Sequence, residues 1–201
     1  MRLYTAQAPN PFRVNAFLAE KNLDIPTTHI KIMEGETHSP GFQAKNTLCE
    51  VPVLELDDGT FLTESIAICR YLEHIFPENP LMGATPLEQA QIEMWNRRME
   101  QQIFKPAGDF GLHTIPLFAD KIEQIPEYAA SMKMVLAQKW QWFDQELADG
   151  RTYICNNSFS VADITAMAAL CVCDFAEIPI PQNLENLSRW ITAVRTHDVW
   201  G

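Results

Sequence analysis

The segment Val51–Ile68, VPVLELDDGTFLTESIAI, constrains the fold of this chain more than any other. Two short apolar runs flank Asp58-Gly59, a pair that accepts the positive φ angles of a tight hairpin turn. Thr63-Glu64-Ser65 then supplies cap chemistry, and Ile68, Leu72, Ile75 and Phe76 recur at helical spacing. The pattern predicts strand, turn, strand, helix, with Pro52 at the mouth of the first strand, where a missing amide donor is tolerated. A cis Val51–Pro52 bond would leave the Val51 amide and carbonyl open to pair with an extended peptide. The amides opening the helix at Glu64-Ser65 form an anion site favoured by the helix dipole. A ligand with peptide groups at one end and an α-carboxylate at the other fits both features.

The residues before this segment predict a strand over Arg2–Thr5 and a helix from Asn10, which can cap, with Pro11 at its first position. A half-buried strand follows over Thr27–Ile32, and a brief helix opens at Ser39-Pro40 and runs to about Asn46. The order is therefore βαβ, α, ββα. Residues 77–85, rich in proline and glycine, break helix and read as a linker. Thr85-Pro86-Leu87-Glu88 restarts helix with a capping box, and no strand is predicted after it. Pro106, Gly108 and Gly111 should kink or interrupt the first long helix. Met132, Leu136, Trp140, Phe143 and Leu147 mark a second, and Ser160 with Asp163 caps a third. Asp163 is assigned to folding, not catalysis. Leu184, Leu187, Trp190, Ile191 and Val194 mark a last amphipathic helix.

The net charge of -11 is spread evenly, with 6 basic and 11 acidic groups in residues 1–80 and 9 and 15 in the remainder. Neither nucleic acid nor an anionic membrane is expected as a partner. Cys49, Cys69, Cys155, Cys171 and Cys173 have neither metal-ligand nor disulfide-framework spacing, and no metal is expected. Without a signal peptide or an apolar run long enough to span a bilayer, a cytoplasmic location is expected.

Val51-Pro52 followed by Glu64-Ser65 resembles the glutathione site of the cytosolic glutathione transferases, and the order of elements is similar to that family over nearly the whole chain. The resemblance implies an α/β thioredoxin-like amino-terminal domain over residues 1–76 and an all-α helical carboxy-terminal domain over residues 86–201, which binds the second substrate. It also implies glutathione as substrate, a homodimer and a role in detoxification. Ser160-x-x-Asp163 resembles the capping motif of that helical domain. Within the family's site, Ser65 is expected to hold the α-carboxylate of glutathione and Glu64 its α-ammonium.

Two departures stand out. Relatives place a tyrosine, serine or cysteine near the end of the first strand to hydrogen-bond the sulfur, whereas this loop reads Thr5-Ala6-Gln7-Ala8-Pro9-Asn10. In that respect the chain is similar to atypical microbial members. Three substitutes are open: Asn10, which resembles the asparagine of related Thr-Pro-Asn loops; the hydroxyls of Thr5 or Tyr4; and a water held near the helix kink, with His113 as candidate. The second departure is Glu50, where relatives often carry a residue near the glycine carboxylate of glutathione. Lys45 or His38 could offset its charge. Phe12, Phe110 and His113 are the candidates for an aromatic second-substrate pocket, which would suit an apolar electrophile.

The expected activity is conjugation of the glutathione thiolate to an apolar electrophile, weak because the usual hydroxyl or thiol is missing. The alternatives are glutathione-dependent reduction of disulfides or peroxides, and a non-enzymatic glutathione-binding or interaction module.

Overall fold

The computed structural model describes residues 1–155 and 157–200, which form two compact units, Met1–Leu81 and Met82–Gly201. The first holds a four-stranded sheet in the order β2-β1-β3-β4. Its strands are β1 (Arg2–Thr5), β2 (Thr27–His29), β3 (Val53–Glu55) and β4 (Phe61–Leu62). β1 runs parallel to β2, through the helix α1 (Pro9–Glu20), and antiparallel to β3, which pairs antiparallel with β4. This is the expected thioredoxin-like layout of a parallel crossover beside a hairpin. A short helix α2 (Pro40–Gln43) and α3 (Ser65–Ile75) complete it. Leu3, Val14, Phe17, Val53, Leu54, Ile68 and Leu72 are fully buried in its core.

The hairpin turns where the sequence requires it. Gly59 has φ +85, and the Asp58 side chain accepts from the Thr60 amide at 2.9 Å. Those bonds to Thr60 hold the Asp58 carboxyl below its ordinary value. β2 is shorter than expected, because Ile32 opens a turn of 3-10 helix closed by Gly35 at φ +77. The start of α1 also differs from expectation. Ala8 is its N-cap, with Pro9 rather than Pro11 first, since either proline suits an amide-free first turn.

In the second unit all regular elements among the described residues are helical: α4 (Pro86–Met99), α5 (Lys105–Thr114), α6 (Pro126–Glu146), α7 (Val161–Phe175) and α8 (Glu185–Arg195), with short 3-10 turns. Thr85 and Glu88 form the anticipated capping box of α4. The expected break ahead of Pro106 is a π-helical segment, Glu100–Phe104, which joins α4 to α5 without ending the helix. Proline at 106 has no amide to donate one turn back, and widening the preceding turn accommodates that loss. α7 is apolar on nearly every side and is buried from Val161 to Leu170, as suits the central helix of a bundle. Asn96 on α4 and Thr165 on α7, both fully buried, satisfy one another at 2.6 Å. Asp163 accepts from the Ser160 and Ile154 amides, the Ser160 hydroxyl and the Trp190 indole, tying the start of α7 to α8. No helix among the described residues is long and apolar enough to cross a membrane.

Candidate functional site

One open cleft in the first unit is lined by Asn10, Asn46, Glu50, Val51, Pro52, Glu64 and Ser65. Three chain segments meet there: the start of α1, the loop before β3 and the start of α3. The Val51–Pro52 bond is cis. Val51 is buried beside Ala6, Ile30, Phe42 and Val53, while no described residue pairs with its amide or carbonyl. An extended peptide laid along this edge would find one donor and one acceptor at Val51.

Ser65 is the first residue of α3 and is 5% exposed, yet its hydroxyl has no hydrogen-bond partner among the described residues. The oxygen itself opens onto the cleft, where a polar ligand group can reach it. The opening amides of α3 have no partners within the helix, and the helix dipole adds to their attraction for an anion. Glu64, its N-cap, has φ 62 and ψ 114, a strained conformation for a residue with a side chain. It stands exposed on the rim beside Ser65.

The start of α1 offers few donors, and they converge on one residue. Ala8 donates its amide to Ala6, Phe12 donates to Ala8, and Pro9 and Pro11 have no amide proton. Asn10 therefore supplies the one backbone N–H left over in the first turn, together with its side-chain amide. Arg13, 2% exposed, donates from Nη1 to Asn10 Oδ1 at 3.3 Å, which leaves the Asn10 Nδ2 donors available elsewhere. The other hydroxyls considered at this strand end are engaged. Tyr4 donates to Glu55 at 2.6 Å, and Thr5, 1% exposed, lies against Asn15.

The loop before β3 is organised by a residue to which the sequence assigns no role. Asn46, 7% exposed, donates from Nδ2 to the Glu50 carbonyl at 2.8 Å and accepts from the Leu48 amide at 3.0 Å. The available signal was an asparagine followed two residues later by a chain reversal, since asparagine can bond its own backbone in a turn. Cys49 takes φ 59 inside this loop, and its thiol contacts the Thr47 carbonyl oxygen.

Lys45 and His38 do not line the cleft. The Lys45 ammonium sits over the Tyr4 and Phe61 rings, 4.9 and 4.7 Å from their centres. His38 ends a 3-10 turn, and its carbonyl accepts from Gln43. Phe12 is half-buried on α1 in the first unit; Phe110 and His113 are half-buried on α5 in the second. His113 accepts the Ile125 amide on Nδ1 at 3.0 Å and packs edge-on against Tyr128, whose hydroxyl donates to Asp109. Burial pushes the Cys69, Cys155 and Cys173 thiols up to about 12, which suits packing and not nucleophilic work.

The family model described as the glutathione S-transferase N-terminal domain matches residues 8–75, and that of the C-terminal domain matches residues 113–198. Glutathione S-transferase 2 of Saccharomyces cerevisiae is 35% identical over 190 residues, covering 92% of this chain and 81% of the relative. Among solved structures, a glutathione S-transferase domain-containing protein of Marinobacter aquaeolei superposes with a TM-score of 0.94 at 35% identity, covering 100% of both chains. Gtt2 of Saccharomyces cerevisiae gives 0.91 at 34% identity, covering 99% of this chain and 98% of that one.

Proposed function

The chain belongs to the glutathione S-transferase family, and we propose that it conjugates the glutathione thiolate to an apolar electrophile. The observation that supports this best is the unpartnered Ser65 hydroxyl at the start of α3, open to the same cleft as the free backbone of Val51. In this reading the α-carboxylate of glutathione takes the Ser65 hydroxyl and the first amides of α3, while Glu64 pairs with the α-ammonium. The cysteinyl unit runs along Val51-Pro52 as an added strand. In this reading residues 1–76 bind glutathione, 77–85 link, and 86–201 bind the second substrate, with Phe110 and His113 as that unit's candidate residues.

The thiol of glutathione must lose its proton before its sulfur attacks the electrophilic carbon and the leaving group departs. Asn10 is the proposed stabiliser of the thiolate, through Nδ2 and its own backbone N–H. Neither group is a base, so the proton goes to solvent. One oriented donor on a developing anion is worth about 3 kcal/mol, or roughly a hundredfold in rate. An amide in place of a hydroxyl or thiol is therefore expected to give weak conjugation.

A turnover screen with glutathione and a model aryl halide, an organic peroxide and a small mixed disulfide tests the proposal. Slow but enzyme-dependent loss of the aryl halide supports it. Turnover of the peroxide or disulfide alone would make the protein a reductase. Glutathione binding with no turnover of any would make it a binding module. The active species is proposed to be a homodimer, which sedimentation at micromolar concentration should show as about twice the 22.9 kDa of one chain.

A further inference from the structure

The charges of the cleft are unbalanced for the ligand it is proposed to hold. Glutathione carries two carboxylates and one ammonium, and the α3 end provides for one carboxylate and the ammonium. Two acidic residues, Glu64 and Glu50, both exposed, line the cleft, and no cationic residue does. Neither side chain has an ion-pair partner among the described residues. Lys45, next in the chain to Asn46, is held over two aromatic rings. Glu64 has a counter-ion in the α-ammonium of the ligand, whereas Glu50 has none.

The direction of the peptide places this excess charge. With the α-carboxylate on the Ser65 hydroxyl, the cysteinyl unit beside Val51 and its sulfur toward Asn10, the third residue of the peptide is left with Glu50 and Asn46 as its lining. Asn46 commits one of its two Nδ2 protons to the Glu50 carbonyl and its Oδ1 to the Leu48 amide, and its remaining N–H is a neutral donor that cannot balance a carboxylate charge. A free glycine carboxylate there would face a carboxylate without an intervening cation.

We propose that Glu50 sets the substrate class of this site: a glutathione-type thiol whose glycine end carries no negative charge, such as an amide, an ester or an amine-extended form. This rests on the reading that Ser65 and Val51 hold the γ-glutamyl-cysteinyl part. Repulsion between unit charges across about 5 Å of an exposed cleft amounts to roughly a five- to tenfold change in affinity. An amine-extended glycine end gains attraction from Glu50 in addition to losing the repulsion.

Calorimetric titration of the full chain at pH 7.5 and low salt with glutathione, and with its ester at the glycine carboxylate, tests this. The ester should bind about five- to tenfold more tightly, and 0.5 M salt should narrow the gap, because exposed charges are screened beyond about 5 Å at that strength. Glu50→Gln should abolish the preference and Glu50→Lys should reverse it. Both variants keep the Glu50 backbone carbonyl that Asn46 uses, and equal melting temperatures check that the loop is intact. Equal affinities in the wild type, or a preference that survives Glu50→Gln, would overturn the proposal and leave the Ser65 site standing. Failure of both ligands to bind, or binding of both that is indifferent to Ser65→Ala, would overturn the two together.

Discussion

Arg13 holds Asn10. The buried guanidinium donates to Asn10 Oδ1 at 3.3 Å from one turn further along α1, and this bond orients the side-chain amide. A neutral donor at the start of a helix, backed by a buried positive charge, favours an anion in front of it. Asn10→Ala should therefore raise the pKa of bound glutathione and slow aryl-halide conjugation by about tenfold to a hundredfold. The change should spare the fold, because Asn10 is exposed and does not cap α1. Asn10→Asp should be worse, since it sets a carboxylate against the thiolate. A pH titration of thiolate absorbance in the complex, with kcat/KM for each variant, measures both effects. Unchanged values would assign thiolate stabilisation to a water or a backbone amide.

The loop at residues 46–50 depends on one side chain. Removing Asn46 strands the Glu50 carbonyl and the Leu48 amide, each of which it now satisfies. Asn46→Ala should cost about 1–3 kcal/mol of stability and weaken glutathione binding, because Val51 follows directly. Chemical denaturation and calorimetry on the same preparation would show both losses. A loss of stability with unchanged affinity would separate the loop from the site.

Asp163 links stability to pH. Burial pushes its carboxyl up to about 6, against the pull of the Ile154 amide, the Trp190 indole and Ser160. Its ordinary value is 3.8, so the protonated form is favoured by folding. This contribution is fully present below pH 3.8, declines as pH rises through about 6 and is gone above it. The stability difference between wild type and Asp163→Asn should therefore fall by up to about 3 kcal/mol across that window. Denaturant melts of both proteins at half-unit pH steps measure it, and a difference that is flat in pH would contradict it. Asp163→Ala, which abandons four buried donors, should destabilise at every pH.

Gly83 sits at φ +92, where an added Cβ would lie 2.6 Å from the Gln89 amide nitrogen and 2.7 Å from the Glu88 carbonyl carbon. Backbone atoms there are fixed by the capping box, in which Glu88 accepts from the Ala84 and Thr85 amides. Gly83→Ala should lower stability by about 2–4 kcal/mol and the melting temperature by roughly 5–10 °C. Gly35→Ala is the control, since nothing lies within 4 Å of its added Cβ and only the φ of +77 is unfavourable.

The elements read most directly from the sequence were those whose signals are local. The hairpin followed from Asp58-Gly59 between apolar runs, and the capping boxes from Thr85 with Glu88 and Ser160 with Asp163. Ambiguity arose where two residues could serve one role, as with Pro9 and Pro11 at the start of α1. Pro106 announced a disturbance without saying that a π turn, and not a break, would absorb it. Residues lining the cleft from three separate segments were legible at Asn10, Val51 and Ser65 through the family's spacing. Asn46 was not, because its bonds are made within a loop of no regular period. Lys45 was visible as a charge, but its seat over Tyr4 and Phe61 depends on strands far apart in the chain.

The most direct measurement is calorimetric titration of glutathione against wild type and Ser65→Ala, with the melting temperature of each recorded. Ser65 opens α3 with a hydroxyl that bonds to none of the described residues, so its loss should hardly alter the melting temperature. A charge-assisted hydrogen bond is worth about 1.5–3 kcal/mol, so affinity for glutathione should fall about tenfold or more. Equal affinities, with only the melting temperature shifted, would show that Ser65 serves the helix and that glutathione does not bind in this cleft as described.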